Sequence, residues 1–213
     1  MADNVGFDQV TAMLLAIVKK IDENHEHLSK LDSATGDGDH GTAMLRSVEV
    51  IRSTIEGFEG TDIAALMKKI GWDIMSAAGG STSSLLGSLF MGFKDGIEAD
   101  ADSLDAAGLA AMFEGGLAKI RRATKAQIGD KTLIDALVPA IDAMRAAADA
   151  GKSPAEAMAD AADAAEKGAA ATSDMLAKFG RARNLGERVI GHIDPGATSM
   201  SYMFRAMSDT LAG

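Results

Sequence analysis

Leu31-Asp32-Ser33-Ala34-Thr35-Gly36-Asp37-Gly38-Asp39-His40-Gly41-Thr42-Ala43-Met44 crowds three carboxylates, a histidine and three glycines into one short stretch between two amphipathic patterns. The patterns on either side decide the fold class. Upstream, Val10, Met13, Leu14, Ile17 and Ile21 recur at helical spacing, which predicts a helix from about Phe7 to Leu28. Downstream a second helix resumes near Thr42 and stops around Gly57–Gly60. Glycines between the acids let the backbone turn tightly enough for the carboxylates to converge.

Three converging acids repel one another unless a cation sits among them, so the stretch is either a solvated acidic turn or a metal site. An EF-hand would need a glutamate at the twelfth loop position. Counted from Asp37 that position is Val48, and counted from Asp32 it is Ala43, which excludes calcium of that type. His40 is the sole nitrogen ligand nearby, which argues against zinc. Oxygen ligation by Asp32, Asp37 and Asp39 suits magnesium, which commonly shares its coordination with phosphate oxygens.

The rest of the chain reads as helix. Six further segments follow: about Asp62–Ala78, with Ile63, Leu66, Met67, Ile70 and Ile74 as its stripe; Thr82–Ile97; Leu104–Thr124; Thr132–Ala150, interrupted by Pro139; an alanine-rich helix from the Ser153-Pro154-Ala155-Glu156 capping box to about Phe179; and a last helix capped by Asp194-Pro195. Eight helices without a convincing strand make an all-α protein, a bundle of one domain. Composition agrees: aromatics are 4% of 213 residues, and three prolines occur. A net charge of −10 disfavours nucleic acid and anionic membrane as partners. The basic cluster Lys119, Arg121, Arg122 and Lys125 ends a helix, where cations complement the dipole. The absence of cysteine excludes disulfides and thiolate metal sites. No signal peptide precedes the first helix and no apolar run is long enough to span a bilayer, so a cytoplasmic location is expected.

Three other segments could carry chemistry. Gly79-Gly80-Ser81-Thr82-Ser83 offers free N–H groups, hydroxyls and a helix dipole to an anion, without forming a Walker motif. Gly129-Asp130-Lys131-Thr132 is a helix cap or a pocket wall. Gly180-Arg181-Ala182-Arg183 and Gly191-His192-Ile193-Asp194-Pro195-Gly196 supply an arginine suited to phosphate and an aspartate suited to capping, to a nucleotide edge, or to both.

Together these segments resemble, in order and over nearly the whole chain, the ADP-binding L subunit of dihydroxyacetone kinase. The resemblance implies a closed barrel of antiparallel helices with the nucleotide at one end. It implies that Asp32, Asp37 and Asp39 hold two magnesium ions bridging the phosphates of ADP or ATP. Gly79, Gly80, Ser81 and Thr82 would approach those phosphates. His40, Gly41, Thr42 and Ala43, with Thr132, Arg181, Asp194, Pro195 and Gly196, would border the nucleotide. Thr82 and Ser83 depart from the family's Gly-Gly-x-Ser-Gly loop, and Ser83 is expected to tighten it and alter nucleotide exchange.

A separate K subunit would hold dihydroxyacetone, and the phosphate would come from free ATP or from a phosphohistidine phosphotransferase subunit that recharges bound ADP. Homodimerisation is compatible with this reading. Two alternatives remain: a kinase subunit for a four-carbon ketose, and a nucleotide-loaded module that binds a transcription factor.

Overall fold

The computed structural model describes residues 4–77, 79–98 and 101–213. Its helices are α1 (Phe7–Thr35), α2 (His40–Glu56), α3 (Ile63–Ala77), α4 (Ser81–Phe93), α5 (Ala106–Ala123), α6 (Ile134–Asp149), α7 (Pro154–Ala171) and α8 (Pro195–Ala212). Ala78, where the third helix was expected to end, lies outside the described residues. Each helix packs on the next, and α8 returns to α1, so the eight close into a ring. The all-α architecture expected from the periodicity is what forms, and it closes on itself as the resemblance implies.

The apolar stripes read from spacing line the inside of that ring. Val10, Met13, Leu14, Ile17 and Ile21 of α1, and Ile63, Leu66, Met67, Ile70 and Ile74 of α3, are all buried. Few aromatics suffice because they pack ring against ring in series, edge-on and then tilted. Phe90, Phe93, Phe113 and Phe204 pack with successive centroid distances of 5.1, 4.8 and 5.0 Å, joining α4, α5 and α8 through the centre.

Between α3, α4 and α5 the packing is backbone on backbone. A Cβ added to Gly71 would lie 2.6 Å from the Met91 nitrogen and 2.7 Å from the Gly87 carbonyl oxygen. A Cβ on Gly92 would lie 2.5 Å from the Gly115 carbonyl oxygen. The absence of side chains here sets how near the three helices come.

Four expectations are corrected. First, α1 continues to Thr35 instead of stopping at Leu28, because Leu28 and Thr35 are both buried on its inner face. Second, α7 stops at Ala171 rather than near Phe179. Thr172 there donates to the Ala169 carbonyl at 2.6 Å and accepts from the Asp194 N–H at 2.9 Å, a tertiary contact that periodicity cannot reveal. Third, a two-residue antiparallel pair, β1 (Val5–Gly6) and β2 (Ser103–Leu104), ties the start of the described chain to the entry of α5. Fourth, a 3-10 stretch at Ala182–Val189, broken by Gly186 at φ 58°, occupies a segment read only as motif.

Pro139 sits within α6 without ending it. Proline cannot donate to the Asp135 carbonyl. Gly168 of α7 comes so close to that carbonyl that any Cβ there would overlap it. The caps behave as read: Ser153 and Glu156 satisfy one another's backbone N–H groups at 3.3 and 2.9 Å, an arrangement worth about 1 kcal/mol.

Candidate functional site

A cleft of about 980 Å³ opens at one end of the ring, where α1 hands over to α2 and where α4 and α8 begin. Its acidic wall is built by helix ends. Asp32 projects from the last turn of α1, Asp37 lies in the four-residue turn Gly36–Asp39, and Asp39 stands immediately before α2 with its carboxylate not used as a cap. Gly38, at φ 78°, provides the left-handed step that lets this turn reverse the chain. One carboxylate oxygen from each acid lies within 4.8 Å of the other two. Asp32 is half-buried and accepts from the His40 N–H at 3.2 Å, while Asp37 and Asp39 are exposed. Arg181 reaches across from the far side and forms an ion pair with Asp37, its guanidinium also lying 3.9 Å from Asp39. The acids therefore draw a cation from another part of the chain.

Facing them is the start of α4. Gly80 holds φ 101°, a backbone state open to glycine, and no side chain caps the helix. The first N–H groups of α4 have no intrahelical acceptor, and they sit at the positive end of the helix dipole on the cleft wall. His40 joins this end to two other helices: its ring nitrogens lie 3.1 Å from Ser199 Oγ on α8 and 3.4 Å from Thr82 Oγ1 on α4. Burial holds the imidazole below its usual titration range despite the neighbouring Asp32 and Asp39. Ser199 Oγ donates to the Gly196 carbonyl at 2.9 Å and so accepts from the ring, and a neutral ring then leaves its other nitrogen to accept from Thr82.

Asp194 forms the third wall. Its carboxylate caps α8 by accepting from the Ala197 N–H at 2.7 Å. Burial pushes the group up to about 7, against the opposing pull of that N–H and of Lys131. A carboxyl raised from 3.8 to about 7 binds its proton more tightly when folded, so its stabilising contribution is full below about pH 4 and lost as pH rises through 7. Three units correspond to about 4 kcal/mol. Asp194→Asn keeps a cap acceptor and removes the titration. Urea unfolding of the ligand-free protein should therefore show stability falling between pH 4.5 and 7.5 in the wild type by up to that amount more than in the variant. Equal slopes would mean that Asp194 is ionised throughout the range.

Of the residues singled out from sequence, Asp32, Asp37, Asp39, His40, Ala43, Gly79, Gly80, Ser81, Thr82, Thr132, Arg181, Asp194, Pro195 and Gly196 all line this cleft. Gly41 and Thr42 do not. Gly41 is buried against α1, and Thr42 faces solvent one residue further round α2. Ser83 also points elsewhere. It is fully buried with its hydroxyl 3.1 Å from Ser47 Oγ, linking α4 to α2 instead of tightening the loop. Ser199 and Phe179 line the cleft without having been singled out. Ser199 stands five residues after Asp194, on the inward side of α8, and that offset is the signal available for it.

A ring of helices whose open end sets a carboxylate cluster against an uncapped helix start has the chemistry to take an anion through a cation. The chain belongs to the DAK2 domain family, whose sequence profile matches residues 34–209. It is 35% identical to the ADP-binding subunit DhaL of PEP-dependent dihydroxyacetone kinase 1 of Listeria innocua, over 90% of each chain. It is 36% identical to the ADP-binding subunit DhaL of the PTS-dependent dihydroxyacetone kinase of Lactococcus lactis, covering 91% of this chain and 92% of that one. Among solved structures it resembles the dihydroxyacetone kinase of C. freundii in complex with AMP-PNP and Mg2+, at TM-score 0.74 and 26% identity. That match covers 94% of this chain and a third of the longer kinase, 33% of its length.

Proposed function

We propose that this chain is the nucleotide-binding, phosphoryl-transferring subunit of a dihydroxyacetone kinase, a single L-type domain working in the cytoplasm with a separate K subunit that presents the ketose. The observation that carries this reading is the convergence of Asp32, Asp37 and Asp39 within 4.8 Å of one another, opposite the start of α4, in a chain of this family. The donor set fits magnesium: three carboxylates and no nitrogen or sulfur ligand, with room left for water and phosphate oxygens. Magnesium bound there supplies charge neutralisation and a template for the phosphates.

The chain's own residues do the remaining work. Asp32, Asp37 and Asp39 hold the metal. The N–H groups opening α4, with Ser81 and Thr82, receive phosphate oxygens. Among the described residues Arg181 is the cation paired with these acids, and its guanidinium is placed to meet phosphate charge on the cleft side. His40 fixes Thr82 relative to α8, and the Asp194–Gly196 turn with Thr132 closes the other side of the nucleotide. The ketose hydroxyl is itself the nucleophile toward the terminal phosphate, and the K subunit would present it at the open end of the cleft.

The two DhaL relatives, matched over about nine tenths of both chains, are named PEP- or PTS-dependent, which supports a phosphohistidine protein as the donor that recharges bound ADP. The L-erythrulose 1-kinase of Mycolicibacterium smegmatis, 32% identical over 95% of this chain, keeps a four-carbon ketose as the second reading of the acceptor. The deciding experiment mixes the protein with its K subunit and follows formation of the sugar phosphate, triose phosphate from dihydroxyacetone or tetrulose phosphate from erythrulose, with ATP or with a phosphoenolpyruvate-charged phosphotransferase chain. Transfer to dihydroxyacetone from the charged chain is expected. Nucleotide binding without transfer to any ketose would overturn the assignment.

A further inference from the structure

Lys131 is the one non-glycine residue among the described residues with a left-handed backbone, at φ 59°. It is also buried, at 3% exposure, which is rare for lysine. Both oddities have one geometric result: the side chain turns inward and its ammonium donates to the carbonyls of Thr172 and His192. Those residues are the two feet of a long loop. The same neck is closed by the Gly191 N–H on the Ser173 carbonyl at 2.8 Å and by the Asp194 N–H on Thr172 Oγ1 at 2.9 Å. Arg181 lies on the span between the feet and reaches Asp37 and Asp39 from there.

The turn carrying Lys131 is itself held rigidly. The Asp135 carboxylate accepts from the Gly129 N–H at 2.5 Å and the Thr132 N–H at 2.7 Å. Asp130 accepts from the Gln127 N–H at 2.8 Å and pairs with Lys178 of the loop at 2.6 Å. Burial disfavours the ammonium's charge, while Asp194, Asp135 and Asp174 favour it. A strained, desolvated lysine persists where the surrounding structure over-determines it, and such residues cluster at functional sites.

We infer that Lys131 is a positioning residue that latches the neck of the 172–194 loop and so sets the reach of Arg181 over the three acids. Lys131 borders the cleft, but its ammonium is turned onto the Thr172 and His192 carbonyls, so it acts through the loop. The functional half of this inference rests on the nucleotide reading above; the latch itself does not.

The test is therefore in two parts. Hydrogen exchange of the nucleotide-free protein compares the wild type with K131M and with K131G. The second variant removes the ammonium while relieving the left-handed strain, so it folds even where K131M does not. Exchange in the 173–191 amides is expected to rise about tenfold in either variant, with α1 to α3 unchanged. The second part measures release of a fluorescent ADP analogue in the presence of magnesium. K131G should release it about tenfold faster, and no faster still when combined with R181Q, since both changes act through the same guanidinium. Unchanged exchange at 173–191, a rise spread evenly over all the helices, or additive release rates would each overturn the latch. Loop opening in a protein that binds no Mg-ADP would retain the latch and overturn the nucleotide reading instead.

Discussion

Asp37→Asn is expected to weaken magnesium-dependent ADP binding by about 100-fold or more, a loss of about 2.7 kcal/mol. The change is small in volume and large in charge. It removes one of three anionic oxygens that meet within 4.8 Å, and it deletes the carboxylate with which Arg181 pairs. An amide oxygen is a weaker ligand for a hard cation than a carboxylate. Asp37 is exposed in a turn between helices, so the far-UV circular dichroism should be unaltered. Titration calorimetry with Mg-ADP, and with ADP plus a chelator as control, separates the metal-dependent part. Wild-type affinity in the variant would remove these acids from the metal assignment.

Gly41→Ala is expected to cost about 3 kcal/mol of stability, at the upper end of what overpacking one methyl does. Gly41 is where α2 crosses α1. An added Cβ would overlap the His25 carbonyl oxygen and lie 2.5 Å from Ser29 Oγ, and a backbone carbonyl within a helix cannot step aside. The helices must part instead, carrying Asp39 and His40 away from Asp32. The variant should show a lower urea midpoint and also weaker Mg-ADP binding at temperatures where it is fully folded. A loss of stability with unchanged binding would show that the acidic wall tolerates the shift.

The two substitutions also mark how far the chain could be read before its fold was known. The convergence of Asp32, Asp37 and Asp39 was legible because it is local: the last turn of α1 runs straight into the glycine-bearing turn Gly36–Asp39. The helical stripes of α1 and α3 were legible for a similar reason, since burial follows the 3.6-residue period. Gly41 was grouped with its neighbours as part of the nucleotide border, yet its demand comes from the His25 carbonyl in another helix. Ser83 read as a phosphate-loop residue, whereas its hydroxyl is answered by Ser47 in the interior. The end of α7 was misplaced because Thr172 bonds to Asp194, a partner 22 residues away. In each case the deciding atom belongs to a distant element.

The glycine seam joining α3, α4 and α5 bears on how this site can change. Gly71 and Gly92 bring main chain against main chain, so at these points α4 runs along a track where backbone, and not only side chains, must give way. Sliding α4 along its axis would require the facing backbones to climb over one another, a stiff deformation compared with a side-chain rearrangement. The distance from the first turn of α4 to the acids is therefore inherited from the barrel, and ligand preference there can drift only through the loops. A larger residue anywhere on the track would move the anion-facing end of the cleft before it touched a ligand, and restoring it would take a paired shrinkage on the opposite helix.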